Sequence, residues 1–159
     1  MKFGIGQPVP RKEDPRLLTG TGRYVDDVEL PRMAYGYVMR SPHAHARFQF
    51  TNTDDAREAP GVLSVLTGND YADDGLGEIH CHFPEPMLAG NPTSSPFPAL
   101  ILGIAKRIGA PVAFIVAETL AQAKDAAELI NVEFEELPTI INADQAIAAG
   151  APTVWEHAS

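Results

Sequence analysis

The chain has 159 residues, with 12 Lys plus Arg against 21 Asp plus Glu and a formal net charge of -9. That length suits one domain able to bury about 70% of the surface its unfolded chain exposes, and the acidic balance disfavours nucleic acid and anionic membrane surfaces as partners. A single cysteine excludes an internal disulfide framework, and with no apolar signal region after Met1 and no apolar run of membrane-spanning length, the expectation is a soluble, cytoplasmic chain.

Residues 1–21 carry Pro8, Pro10 and Pro15 among charges and show little periodicity, so an extended N-terminal arm that needs neighbours to order it is expected. Gly4, Gly6, Gly20 and Gly22 raise a phosphate loop, but none stands between a strand and a helix start, and they read as turn glycines. Met33, Tyr35, Tyr37 and Met39 then alternate with other residues, as do Ala46, Phe48 and Phe50 with His45, Arg47, Gln49 and Thr51. This period of two predicts half-buried strands on either side of residues 40–47, and Pro42, with its fixed φ and missing donor, places a corner between them. Residues 54–59 permit a helix with an acidic start, Pro60-Gly61 ends it, and residues 62–66 predict a buried strand. If the two strands of this strand-helix-strand unit are parallel neighbours, its crossover should be right-handed.

Residues 84–98 hold Pro84, Pro86, Pro92, Pro96 and Pro98, a density that predicts a surface loop. Residues 112–117 form a continuous apolar run rich in β-branched side chains, as in a central strand covered on both faces. Thr119 followed by Gln122 matches a capping box for a helix over 119–130, with Leu120, Ala123, Ala127 and Ile130 on one face. Val132 and Phe134 alternate with Glu133 and Glu135 in a strand with one wet face, completing a second strand-helix-strand unit. Asn142 with Gln145 can cap a last short helix ending at Gly150. The reading is therefore an α/β (α+β) single domain over 22–150, with 151–159 starting a linker.

Among side chains with chemistry, His80-Cys81-His82 alone combines metal-ligand types. In an extended chain His80 and His82 share a face while Cys81 points away, so three ligands do not converge, and Cys81 is expected to be a free thiol without zinc. His43 and His45 are also two apart, and a hydrogen-bonded corner is the simpler account of them. Arg40 and Arg47 flank that corner, either as exposed ion-pair formers or facing a partner's carboxylates. Trp155 is either a packing anchor or an interface residue. No nucleophile-base pairing or cofactor loop supports a complete small enzyme.

The order of several segments carries a resemblance. Gly6-Gln7-Pro8-Val9-Pro10-Arg11, Glu13-Asp14-Pro15-Arg16-Leu17-Leu18-Thr19-Gly20, Gly22-Arg23-Tyr24-Val25-Asp26-Asp27 and Arg40-Ser41-Pro42-His43-Ala44-His45-Ala46-Arg47 lead into Ala59-Pro60-Gly61-Val62, Gly109-Ala110-Pro111-Val112-Ala113 and Val116-Ala117-Glu118-Thr119. Together they resemble the start of the molybdopterin-binding large subunit of the xanthine dehydrogenase, aldehyde oxidase and aerobic carbon monoxide dehydrogenase family, most closely the carbon monoxide dehydrogenase-type branch. Leu100-Ile101-Leu102-Gly103-Ile104-Ala105, where a more polar run is expected, and residues 81–95 fit less well.

The resemblance implies an α/β hammerhead domain that scaffolds and contacts. Family chemistry, hydroxylation or oxidation of a small carbon substrate, would belong to the assembly. Molybdopterin would sit in the rest of the large subunit, and iron-sulfur clusters and FAD in a small iron-sulfur subunit and a medium flavoprotein subunit. The Gly-Gly-Gly-Phe-Gly run expected of the cofactor loops does not occur, and Cys81 does not resemble the family's active-site cysteine loop. No catalytic, cofactor-binding or metal-binding residue is therefore assigned, and Arg40, His43, His45 and Arg47 are the candidates for subunit contact. The alternative is a free-standing metal- or small-ligand-binding module centred on His80, Cys81 and His82. A chain of this kind would be an excised domain or a split subunit.

Overall fold

The computed structural model describes residues 6, 8, 10–79 and 97–155. The chain divides into two units, Met1–Met33 and Ala34–Ser159.

In the first unit the expectation of a wholly extended arm is corrected by a helix, α1 (Asp14–Leu18). The Arg11 backbone N–H and Nε both donate to the Asp14 carboxylate, at 3.0 and 2.8 Å, and Pro15 falls in the first turn, where a missing N–H costs nothing. At the other end the Thr19 and Thr21 hydroxyls donate to the carbonyls of Pro15 and Arg16, at 2.7 and 3.0 Å. Local side chains thus satisfy backbone groups that the proline spacing leaves open, while Leu18 stays 86% exposed. Residues 22–33, which the sequence assigned to the following domain, also fall in this unit. They form no strand, only a 3-10 turn over Val25–Asp27 in which the Tyr24 N–H donates to the Asp27 carboxylate at 2.8 Å.

In the second unit the predicted period-two segments become β1 (Tyr35–Arg40) and β2 (Ala46–Asn52). After them come α2 (Asp54–Arg57), β3 (Val62–Thr67), α3 (Gly68–Asp73), β4 (Ile104–Ala105), β5 (Pro111–Ala117), α4 (Leu120–Glu128), β6 (Asn131–Glu136) and α5 (Ala143–Ile147). One sheet has the order β1-β5-β3 and the other β4-β2-β6, and every pairing is antiparallel. Successive strands alternate strictly between the two sheets. Each connection, including the corner at residues 40–47 and both strand-helix-strand units, is therefore a crossing from one sheet to the other.

That topology corrects two expectations. β2 and β3 lie in different sheets, so the handedness rule for parallel neighbours has no pair to act on. β3 is an edge strand with Val65 and Thr67 buried but Leu63 58% exposed, because an apolar run alone does not say whether both faces are covered. The run at β5 is central, as predicted, with Val112, Ala113, Ile115 and Ala117 buried.

α4 covers one face of the β1-β5-β3 sheet. The Thr119 Oγ accepts from the Gln122 N–H at 3.2 Å and the hydroxyl donates to the Gln122 side-chain oxygen at 2.8 Å, so the cap forms while the reciprocal bond to the backbone is replaced. Its buried face is Ala123, Ala126 and Ala127, continued by Ile130, whereas Leu120, expected on that face, is 43% exposed. Small alanines let the helix lie close to Val65 and Ile115 in one core cluster. A second cluster of Phe48, Ala105, Ala110 and Val112 joins it through Met39, Phe50 and Val132, which pack against both. Asn142 caps α5 by accepting from the Gln145 N–H at 2.8 Å, and that helix ends at Ile147, short of Gly150.

The start of α3 holds an acid-sensitive cap. The Asp70 carboxylate accepts from the Thr67 hydroxyl and backbone N–H, at 2.6 and 2.7 Å. The Thr67 hydroxyl holds the Asp70 pKa below the ordinary carboxylate value, with a smaller contribution from the Arg57 guanidinium. A depressed folded-state pKa gives stability that is complete above the unfolded value, about 3.9, and is lost as pH falls through the folded value. Denaturant midpoints measured from pH 6 down to pH 3 should therefore decline less in Asp70→Asn than in the parent. Identical slopes would contradict the cap.

Candidate contact surface

The corner is built by the end of β1 meeting the turn before β5. A register shift between Met39 and Arg40 sets Arg40 opposite Pro111, and the Arg40 Nη1 donates to the Gly109 carbonyl at 2.8 Å. The Ser41 N–H donates to the Ala110 carbonyl at 2.8 Å, and the Gly109 N–H returns a bond to the Ser41 carbonyl at 2.9 Å. Buried Ser41 then accepts from the His43 N–H at 3.1 Å, which tightens the chain past Pro42.

The two histidines are both used internally. His43 Nδ1 lies 3.2 Å from the Glu136 carboxylate, and its ring packs on Phe134 with centroids 4.7 Å apart. His45 Nδ1 lies 2.7 Å from the Pro138 carbonyl, an acceptor only, so this nitrogen carries the proton. The Leu137 N–H donates to the His45 carbonyl at 2.9 Å. His45 is 9% exposed, which removes it from the contact candidates: its ring ties the corner to the end of β6 and leaves almost no surface to offer.

Arg40, Pro42 and Arg47 are exposed and His43 is half-buried. Arg47 approaches Glu135 at 3.6 Å with both side chains largely in water, a geometry worth little to stability and easily given up to another carboxylate. Arg40 has no carboxylate within ion-pairing distance among the described residues. The corner thus presents two guanidinium groups on a rigid, internally bonded support.

Lys106 and Trp155 are neighbours that the sequence did not connect. The Lys106 ammonium sits 4.1 Å from the ring centroid of half-buried Trp155, and both line a cavity of about 450 Å³ with Ala44, His45, Thr139 and residues 151–154. His80, Cys81 and His82, and residues 84–96 of the proline-rich segment, lie outside the described residues. Among the described residues no three His, Cys, Asp or Glu side chains converge on a possible metal position, and no buried side-chain polar atom lacks a partner. No helix among them is long and apolar enough to cross a membrane.

Residues 19–138 match the family described as "Aldehyde oxidase and xanthine dehydrogenase, a/b hammerhead domain". The chain is 38% identical over 155 residues to the carbon monoxide dehydrogenase large chain of Afipia carboxidovorans, covering 96% of this chain and 18% of that one. It is 33% identical over 137 residues to the xanthine dehydrogenase molybdenum-binding subunit of Escherichia coli O157:H7, covering 86% of this chain and 18% of that one. Among solved structures, quinoline 2-oxidoreductase from Pseudomonas putida 86 superposes with a TM-score of 0.78 and 38% identity, over 95% of this chain and 19% of that chain. The chain therefore spans about a fifth of the length of these relatives.

Proposed function

We propose that this chain, which belongs to the aldehyde oxidase and xanthine dehydrogenase family as its a/b hammerhead domain, is the scaffold and contact domain of a molybdenum-dependent oxidoreductase. The observation that supports this most is the continuous match of residues 19–138 to the hammerhead domain alone, together with relatives whose remaining four-fifths lie beyond the match. In this reading the molybdopterin belongs to the rest of the large subunit. Iron-sulfur clusters and FAD belong to partner subunits, and the substrate is a small carbon compound oxidised or hydroxylated elsewhere in the assembly. The chain's own part is mechanical: two sheets cross-linked by every connection give a stiff body, and the corner offers Arg40, His43 and Arg47 to a neighbour while His45 holds it in place from behind. The internal bonding of the corner lowers the entropy lost when it docks.

Mixing the chain with the remaining large-subunit residues, the iron-sulfur subunit and the flavoprotein, and following amide exchange, tests the reading. Added protection is expected at residues 40–47 and at residues 11–16, which are exposed apart from half-buried Asp14. Exchange unchanged in both segments would overturn it. The rival reading of a free-standing metal-binding module is centred on His80, Cys81 and His82, which lie outside the described residues, whereas the family match favours the contact domain.

A further inference from the structure

The β1-β5-β3 sheet has a second face, opposite α4. Val38, Phe114 and Leu66 stand in register across its three strands, and they form the floor of a cavity of about 490 Å³ bordered by Phe97. Gly36 contributes to this floor by having no side chain, since an added Cβ would lie 2.5 Å from the tip of the Phe114 ring. Leu66 is 36% exposed and Phe97 42% exposed, so the floor is open. Apolar surface left like this on a sheet is costly in water and marks a site where another protein surface docks.

The charges around the cavity restrict what that surface can be. Among the described residues its charged lining groups are Arg40 and Arg107, in a chain whose formal net charge is -9. The Arg107 guanidinium lies 4.2 Å from the Phe97 ring centroid, which holds it at the rim. Among the described residues neither arginine is within ion-pairing distance of a carboxylate. Arg40 also belongs to the corner, so the cavity and the corner form one continuous surface. We infer that this sheet face seats an acidic, apolar segment from the remainder of the large subunit, its aliphatic or aromatic side chains on Val38, Leu66 and Phe114 and its carboxylates on Arg40 and Arg107. The inference rests on the contact-domain reading above and names the partner for a second face of the same domain. A carboxylate held bidentately by Arg107 would fix the register of a contact whose apolar part has no direction of its own.

The test uses the assembled enzyme with Leu66 replaced by photoreactive p-benzoylphenylalanine. Irradiation should link it to a large-subunit peptide, outside this chain, that contains Asp or Glu beside apolar residues. Arg107→Glu should weaken association about tenfold, and Arg107→Lys should restore only part of it, because an ammonium keeps the charge but cannot hold a carboxylate bidentately. A link to residues 80–96 of the same chain, to a second copy, to the iron-sulfur subunit or to the flavoprotein, or no link at all, overturns the inference. A chain that still co-purifies with the other subunits while showing one of those outcomes leaves the contact-domain reading standing. A chain that does not co-purify removes both.

Discussion

Ile115→Ala should destabilise the fold by about 3 to 4 kcal/mol, roughly three times the loss from Thr119→Ala, about 1 kcal/mol. Ile115 is fully buried at the middle of the central strand β5, between β1 and β3, with the alanine face of α4 packed over it. Truncation removes three carbons from a layer shared with the α4 alanines and with Val65 and Tyr37, whose strands are fixed by pairing to β5, so the space is refilled only in part. Thr119 contributes one cap at an exposed helix start, where water can take over the orphaned Gln122 N–H. Denaturant unfolding of the two variants against the parent measures both losses. Equal losses would mean that β5 is not the organising strand.

Gly68→Ala should cost about 2 to 3 kcal/mol, although it adds a single methyl at the start of α3. A Cβ there would run into the Ile101 carbonyl oxygen and lie 2.9 Å from the Ile101 carbonyl carbon and 3.2 Å from the Leu102 Cα. All of these are backbone atoms, so no rotamer change can relieve the overlap. The Ile101 N–H is itself committed to the Pro111 carbonyl at 2.9 Å, which ties the obstructing segment to β5. The same unfolding measurement decides it, and a loss below about 0.5 kcal/mol would show that residues 101–102 can swing away freely.

The elements that were legible in the sequence share a physical reason. β5 is a β-branched run with a cap residue two positions after it, α4 starts at that cap, and α5 starts at Asn142, so local chemistry suffices for all three. β4 was invisible because two residues carry no periodicity, and Ile104 and Ala105 are strand only through their pairing with Arg47 and Ala46. α1 was hidden by Pro15 and the prolines before it, although the Arg11–Asp14 pair that starts it is a local contact over three residues. The alternation of strands between sheets depends on pairings such as Tyr35 with Ala117, far apart along the chain, and no local pattern encodes those.

The contact surface divides in the same way. Exposed Arg40 and Arg47 could be expected from charges flanking a proline corner. The burial of His45 could not, because its partner is the Pro138 backbone carbonyl and a carbonyl leaves no mark on residue type. Phe114 sits in a run that reads as covered on both faces, so its place on the open side of the sheet was hidden. The one available signal was the unexpectedly apolar segment 100–105: Leu100 lines that cavity and is buried, Ile101 packs on the second core cluster, and Leu102 is 59% exposed.

Elemental analysis of the chain purified alone tests the central claim, that this domain supplies structure and contact while the cofactor is held elsewhere. The account predicts molybdenum far below one atom per chain, even from cells that make the complete cofactor. About one molybdenum per chain, retained through gel filtration, would contradict it.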